Sequence, residues 1–206
     1  MENTLFPTKG NLMIAQNTLA LSRQGYDLLD KKRNILTREM MTLIDKAKTI
    51  QTEINEAFTI AYRALEKANV TMGIGHLKEI SYAICEEVDV EVHFTSVMGV
   101  EIPKVKYKRK PVKPAYGFFR TSSALDDVYL KFTRVRELTI ELAEVDNAVY
   151  RLAVNIKKTQ KRANALKNIT IPLYLDTVRH IQNVLEEKER EEFTRLKVIK
   201  RQKEAE

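Results

Sequence analysis

Residues that could bind a metal ion or perform catalysis are few and widely separated in this sequence. The three histidines of the 206-residue chain are His76, His93 and His180, and no HExxH pattern joins any two of them. Cys85 is the single cysteine, which excludes an internal disulfide and any multi-cysteine zinc site. We interpret Cys85 as a small buried thiol and expect no metal site, because one would require distant residues to meet by chance of the fold.

The glycine and carboxylate patterns also indicate structure more than chemistry. The run Gly73-Ile74-Gly75 lacks the third glycine of a dinucleotide fingerprint, and no GxxxxGK[ST] loop is present to bind phosphates. A helix terminus explains this run better. The pairs Glu86-Glu87 and Glu191-Glu192 lie in charge-rich stretches typical of solvated helix faces, whereas general acid–base catalysis needs a carboxyl group with a shifted pKa. We therefore expect no catalytic residue and no cofactor.

A long apolar seam dominates the first third of the chain. Alternating steps of three and four residues from Leu12 to Ala68 meet 17 positions, of which 15 are apolar. Such a sustained heptad repeat predicts a coiled-coil helix. Thr8 is the predicted N-cap and Gly73 the predicted stop, which gives a helix of about 60 residues and about 90 Å.

A second seam runs from Val128 to Leu166, after Ser123, whose spacing to Asp126 resembles a capping box. Pro172 should kink or restart this helix, because proline removes a helical hydrogen bond. Two long seams separated by about 50 residues most simply fold back as an antiparallel pair.

The segment between the two seams predicts a short amphipathic helix followed by a β-hairpin. The strict alternation from Val88 to Phe94 predicts a half-buried strand, Met98-Gly99 a turn, and Val100 to Tyr107 the returning strand, with Pro103 at an edge or bulge. The predicted fold is thus mainly α: two long helices in an antiparallel coiled coil with a short helix and small β-hairpin inserted. The corresponding divisions are residues 1–72, 73–122 and 123–206, with a kink near Pro172.

The charge balance favours an acidic partner. Lysine and arginine number 35 against 28 aspartates and glutamates, a formal net charge of +7. One basic stretch, residues 104–120, is interleaved with aromatic residues and has three readings: a nucleic-acid patch, a guard for the hairpin edge, or a docking surface for an acidic protein. The chain shows neither a signal peptide nor an apolar run of about 18 residues, so we expect no direct membrane insertion.

The assembled pattern resembles the D subunit of the V-type and A-type ATPases over nearly the whole chain. The most specific match is Lys161 to Leu166 followed by Ile171-Pro172, and it continues through Thr177, Ile181 and Leu185. Pro7-Thr8 before the long helix and Met98-Gly99-Val100 with Ile102-Pro103 in the hairpin are also similar to that family. Lys167 departs from it, since the family pattern leads us to expect an acidic residue there.

This resemblance implies a non-catalytic central-stalk rotor of a V/A-type ATPase that couples ATP hydrolysis or synthesis to H⁺ or Na⁺ transport by rotation. Its partners would be the A and B subunits of the catalytic hexamer, the small stalk protein called the F subunit, and the funnel-shaped C subunit, also called d, on the membrane ring. No nucleic acid would bind. The complex would place the chain in the cytoplasm, peripheral on the cytoplasmic face of the membrane.

Two sets of residues are the predicted partner contacts. Five cations near the C-terminus could meet acidic loops of a socket as a bearing, or could equally be ordinary solubilising charges: Arg190, Arg195, Lys197, Lys200 and Arg201. The hairpin turn, Met98 and Gly99, is expected to contact a neighbouring stalk subunit or adjust turnover.

Two other classes of function remain open from the sequence. A stand-alone coiled-coil adaptor or chaperone predicts a homodimer that needs no ATPase subunits. A basic nucleic-acid-binding rod predicts an affinity that falls steeply with salt and resides in residues 104–120.

Overall fold

A computed structural model of the chain describes residues 6–84, 90–107 and 116–205. Its helices are α1 (Lys9–Met72), α2 (Ile74–Ser81), α3 (Ser123–Ala165) and α4 (Ile171–Ala205). Strands β1 (Val90–Val97) and β2 (Val100–Tyr107) form a two-stranded antiparallel sheet, and Phe118–Arg120 is a 3₁₀ turn. The predicted fold class, mainly α with two long helices and a small inserted hairpin, is confirmed.

The predicted ends of the first helix are confirmed. The hydroxyl oxygen Oγ1 of Thr8 accepts a hydrogen bond from the backbone N–H of Asn11 at 3.2 Å, which satisfies one of the unpaired donors of the first helical turn. At the other end Gly73 has φ of +83°, a left-handed conformation that glycine adopts at low cost. Its N–H donates to the carbonyl of Asn69 at 3.0 Å.

The predicted cap of the second long helix is wrong by one residue. Ser122, not Ser123, accepts the hydrogen bond from the N–H of Ala124, at 3.2 Å, through its side-chain oxygen, while Ser123 is the first residue of α3. The carboxylate of Asp126 accepts a hydrogen bond from the hydroxyl of Tyr116 at 2.5 Å.

The predicted interruption near Pro172 is present as a turn of π-helix. Residues Leu166–Thr170 adopt this form between α3 and α4, and the N–H of Ile171 donates to the carbonyl of Leu166, five residues earlier. Pro172 has no N–H to donate, so a local change in the hydrogen-bond ladder accommodates it within an otherwise helical segment.

The chain forms two compact units, Met1–Asn34 with Lys157–Glu206, and Ile35–Ile156. The sequence divisions 1–72, 73–122 and 123–206 follow the order of the elements and stay a prediction. In the first unit, Arg33 Nη1 donates to Oε1 of Gln160 at 2.9 Å and Lys9 pairs with Glu189 at 3.0 Å. Since the partner number rises as the α1 number falls, the paired helical segments of this unit are antiparallel.

Within the described residues, three apolar clusters of the second unit lie along α1 and α3. One joins Leu36, Leu152 and Val100 of the hairpin. The other two contain residues of both helices in the same antiparallel sense: Ile50, Ile54, Leu138 and Val145 in one, and Ala64, Ala68 and Val128 in the other. The heptad positions therefore form the core, as their spacing predicts.

The hairpin differs from its prediction in one respect, because β1 is not half-buried. Val90, Val92 and Phe94 are 41%, 50% and 55% exposed, and every residue of β1 before Val97 is exposed. The apolar alternation indicated a buried face, but the hairpin packs through Val97, Val100 and Ile102 near its turn. Val88 and Asp89 of the predicted strand lie outside the described residues.

Candidate partner-binding surfaces

The C-terminal cationic segment, residues 190–203 of α4, contains the five predicted bearing residues. All five are exposed. Arg190 pairs with Glu186 at 3.8 Å and Lys200 with Glu204 at 3.6 Å, each four residues apart on the helix. Exposed pairs of this kind contribute below about 1 kcal/mol, so they leave these cations able to exchange partners.

Helical spacing places most of these cations on one side of α4. Arg190, Lys197 and Arg201 are separated by seven and four residues, which brings them to one face, and Lys200 lies next to that face. Arg195 lies on the opposite side by the same geometry. The segment therefore has one face with Arg190, Lys197 and Arg201 and an opposite face with Arg195 and Lys203.

The cationic segment also carries exposed apolar side chains and follows an acidic one. Residues 186–192 contain five glutamates, whereas residues 193–203 contain five lysines and arginines and no acidic residue. Phe193 and Leu196 are 69% and 65% exposed. Exposed apolar side chains beside cations are typical of a surface that a partner covers.

The two predicted hairpin contacts, Met98 and Gly99, form the turn. Their φ angles are +50° and +75°, the pattern of a two-residue type I′ turn, which matches the twist of the flanking strands. Met98 is exposed, while Val100 beside it is buried. The turn belongs to the second unit and the cationic segment to the first, so each candidate surface is described within its own unit.

Side chains of α3 hold the hairpin, and the sequence reasoning missed them. The backbone N–H of Val105 donates to Oε2 of Glu144 at 2.8 Å. Arg151 donates to the carbonyl of Glu101 at 3.3 Å, and its guanidinium lies 5.0 Å from the ring centroid of Phe94. A cation over an aromatic ring at this distance is attractive.

Arg136 completes this attachment by donating to the hydroxyl of Tyr107 at 3.0 Å. Positions 136, 144 and 151 are eight and seven residues apart, which puts them on one face of α3. That spacing is also typical of charges facing solvent, so the sequence offers no signal that separates these residues from a solvated face.

An apolar groove of about 440 Å³ lies beside the short helix α2. Its apolar lining includes Leu65, Leu77, Ile80, Leu125, Val128 and Phe132, and Lys78 is its charged residue. The sequence reasoning did not identify this groove, because its residues come from three separate elements and each fits an ordinary core position.

Only part of the basic stretch 104–120 can be placed. Lys104 and Lys106 are exposed on β2; residues 108–115 lie outside the described residues, as does the side chain of Arg120. Tyr116 contacts the rings of Phe118 and Tyr129. Burial and the hydrogen bond to Asp126 raise the pKa of Tyr116 to about 12. The three readings of this stretch stay predictions.

Within the described ranges, no three histidine, cysteine, aspartate or glutamate side chains are grouped to hold a metal ion. His76 lies 3.7 Å from Glu79, and His93 lies 3.6 Å from Glu91. Cys85 and the pair Glu86-Glu87 lie outside the described residues. No helix in the described part of the chain is long and apolar enough to cross a membrane.

Comparison with known proteins identifies the family. The family model for the D subunit of ATP synthase matches residues 11–201. The chain belongs to the ATP synthase D-subunit family. It is similar to the V-type ATP synthase D subunit of Thermotoga neapolitana, with 45% identity over 94% of this chain and 96% of the relative. The A-type ATP synthase D subunits of Pyrococcus furiosus and Methanosphaera stadtmanae are 39% and 33% identical, and each match covers 92% of the relative.

One position where this chain departs from the expected D-subunit pattern has a local role in the structure. The Nζ atom of Lys167 lies 5.8 Å from the ring centroid of Tyr26, so a cation–π contact joins the π-helical turn to α1. An acidic side chain at this position would lose that attraction. The neighbouring Leu166 approaches Gly25, where an added Cβ would lie 3.7 Å from Leu166 Cδ1.

Proposed function

We propose that this chain is the non-catalytic central-stalk rotor of a V/A-type ATPase, coupling ATP hydrolysis or synthesis in an A/B hexamer to H⁺ or Na⁺ transport. The observation that carries the proposal is membership of the D-subunit family across residues 11–201. The long helices, paired in the antiparallel sense within each unit, support it, because a rotor must resist torsion.

The proposed mechanism relies on contacts and not on bond chemistry in this chain. As the rotor turns, it presents different side chains to each of the three catalytic interfaces. Differences in contact free energy then favour a different open or closed state at each interface. Because binding free energies are reciprocal, a change of nucleotide state at an interface also favours a new rotor angle.

The proposed partners are the A and B subunits, the small F subunit and the funnel-shaped C subunit (d) of the membrane ring. Through them the chain would be peripheral on the cytoplasmic face of the membrane. Light scattering of the chain mixed with the cognate A, B and F subunits tests this assembly. We expect one copy of this chain per three A and three B subunits. A homodimer that does not bind these subunits would instead support the stand-alone coiled-coil adaptor.

We propose that the cationic segment forms the bearing inside the hexamer. Exposed cations attract acidic loops individually by less than about 1 kcal/mol, which permits sliding without one deep minimum. The alternative is that these charges only keep the helix end soluble. Arg190, Lys197 and Arg201 share one face of α4, which supports the bearing because it gives the segment a defined contact side.

Charge reversal tests the bearing. In a variant with Arg190→Glu, Lys197→Glu and Arg201→Glu, about 2 kcal/mol of attraction is lost if each pair contributes below about 1 kcal/mol. Affinity for the A/B hexamer should fall about 30-fold. The matched control reverses the same number of charges on the opposite side, with Lys188→Glu, Arg195→Glu and Lys203→Glu, and should reduce affinity less than threefold. Equal effects of the triple variant and the control would refute a directional bearing.

A further inference from the structure

The two edges of the hairpin sheet are protected very differently. On the outer edge of β2, the N–H of Val105 and the carbonyl of Glu101 are bound by Glu144 and Arg151 of α3. Between them Pro103 has no N–H, and Lys104 and Lys106 follow it along the strand. Proline, lysine and a covering helix are the usual protections of a strand edge against pairing with another chain.

Among the described residues, the outer edge of β1 carries no proline, no lysine and no hydrogen bond from α3; Arg151 contacts this strand at the ring of Phe94. Val97 pairs with Val100 across the two-residue turn, and the register continues to Val90 opposite Tyr107. Hydrogen-bonded and non-hydrogen-bonded pairs alternate from the turn in an antiparallel ladder. The N–H and carbonyl groups of residues 90, 92, 94 and 96 therefore point away from β2. Within the described ranges the sheet has no third strand.

The side chains of β1 match this open backbone edge. The strand contains neither proline nor lysine, and Glu91 is its one Asp, Glu, Lys or Arg. Val90, Val92 and Phe94 lie on one face of the strand, each at least two-fifths exposed. An exposed apolar strand edge of this kind invites pairing, so an edge left open beside one that is guarded indicates a contact surface.

We propose that β1 receives an extended segment of another protein of the ATPase complex as a third strand. The proposal rests on the proposed function, because the partner is taken to belong to that complex. Outward N–H and carbonyl groups on alternate residues are complementary to the backbone of another strand. The partner segment carries apolar side chains that cover Val92 and Phe94, and a lysine or arginine beside Glu91, as β2 places Lys106 opposite Glu91.

Amide hydrogen exchange tests this pairing, measured residue by residue on the full chain alone and in complex with its cognate A, B, F and C subunits. In the free chain the amides of Val92, Phe94 and Ser96 should exchange fast, while those of His93 and Thr95, which bond β2, are slow. In the complex the first three should slow at least 100-fold. The proposal is overturned if none of the three amides slows in the complex. It is also overturned if only one of them slows, because a single partner side chain bound to that N–H would produce the same result.

A pair of variants at one position gives an independent readout. Val92→Pro removes an outward N–H and leaves the ladder to β2 intact, as Pro103 does on the other strand, whereas Val92→Thr keeps the donor. Slow exchange at His93 and Thr95 verifies that the variant hairpin is folded. We expect Val92→Pro to weaken binding to the remaining subunits at least tenfold and Val92→Thr less than twofold. Equal binding overturns the third strand alone, whereas failure of the unmodified chain to assemble overturns the proposed function with it.

Discussion

The attachment of the hairpin to α3 should depend strongly on Glu144. Its carboxylate oxygen Oε2 accepts the N–H of Val105 at 2.8 Å, and hydrogen bonds to charged groups contribute about 1.5–3 kcal/mol. Glu144→Ala leaves that donor without its partner while β1 and β2 remain paired. We therefore expect the hairpin to detach from the helix more easily by about 2 kcal/mol.

This loss has a local signature in hydrogen exchange. A change of about 2 kcal/mol corresponds to about 30-fold, since each 1.36 kcal/mol is tenfold. The amide of Val105 should exchange faster by at least that factor, while core amides of α1 and α3 change little. Glu144→Gln keeps a neutral acceptor and should lose about half the free energy. Asp146→Ala, an exposed carboxylate two residues away, is the matched control.

A different result would refute this reasoning. If exchange at Val105 in Glu144→Ala matched that in Asp146→Ala, the bond to Glu144 would contribute nothing measurable to hairpin docking. If the whole chain lost stability equally, docking would not be a local event. ATPase activity of the reconstituted complex then shows whether the position of the hairpin affects turnover.

Three further predictions concern stability. Leu152 is fully buried between α1 and the hairpin, so Leu152→Ala should reduce the free energy of unfolding by about 3 kcal/mol and lower Tm by about 9 °C, as measured by circular dichroism. Leu130→Ala, at an exposed site of the same helix, is the control and should reduce it by less than about 0.5 kcal/mol. The pKa of Tyr116 is raised to about 12 in the folded chain, so its phenol ionises at lower pH in the unfolded chain than in the folded one. The free energy of unfolding should therefore fall as pH rises from about 10 to 12. Tyr116→Phe should reduce this pH dependence and Tyr150→Phe should not. Thr8→Ala should cost about 1 kcal/mol and speed exchange in the first turn of α1, with Thr8→Ser near neutral.

Features governed by local backbone chemistry could be predicted from the sequence. Thr8 and Gly73 bound α1 because a side-chain acceptor and a left-handed glycine act within one helical turn. Met98-Gly99 is a turn because the flanking alternation and the glycine both indicate one. Even here the N-cap of α3 is Ser122 and not the predicted Ser123. Adjacent serines offer the same hydroxyl group, and only the path of the backbone decides which of them caps the helix.

The burial of β1 shows where local pattern is insufficient. Its alternation of apolar and polar residues predicts one buried face, yet Val92 and Phe94 are about half exposed. Period two shows that the apolar side chains share a face, but it does not show what covers that face. Within the described residues, α3 covers the other edge of the hairpin through Glu144 and Arg151.

The sequence alone determined the helical class and the antiparallel pairing of the seams, because heptad periodicity and helix-end signals repeat over many residues and reinforce one another. Its resemblance to the D-subunit family came from specific stretches such as Lys161 to Leu166 followed by Ile171-Pro172, and the family model confirms it. The tertiary structure alone decided which charges of α3 hold the hairpin, which strand edge stays open and where the apolar groove forms. Those features join residues far apart in the chain, and the contact of each pair depends on geometry that neither residue specifies by its type or local spacing.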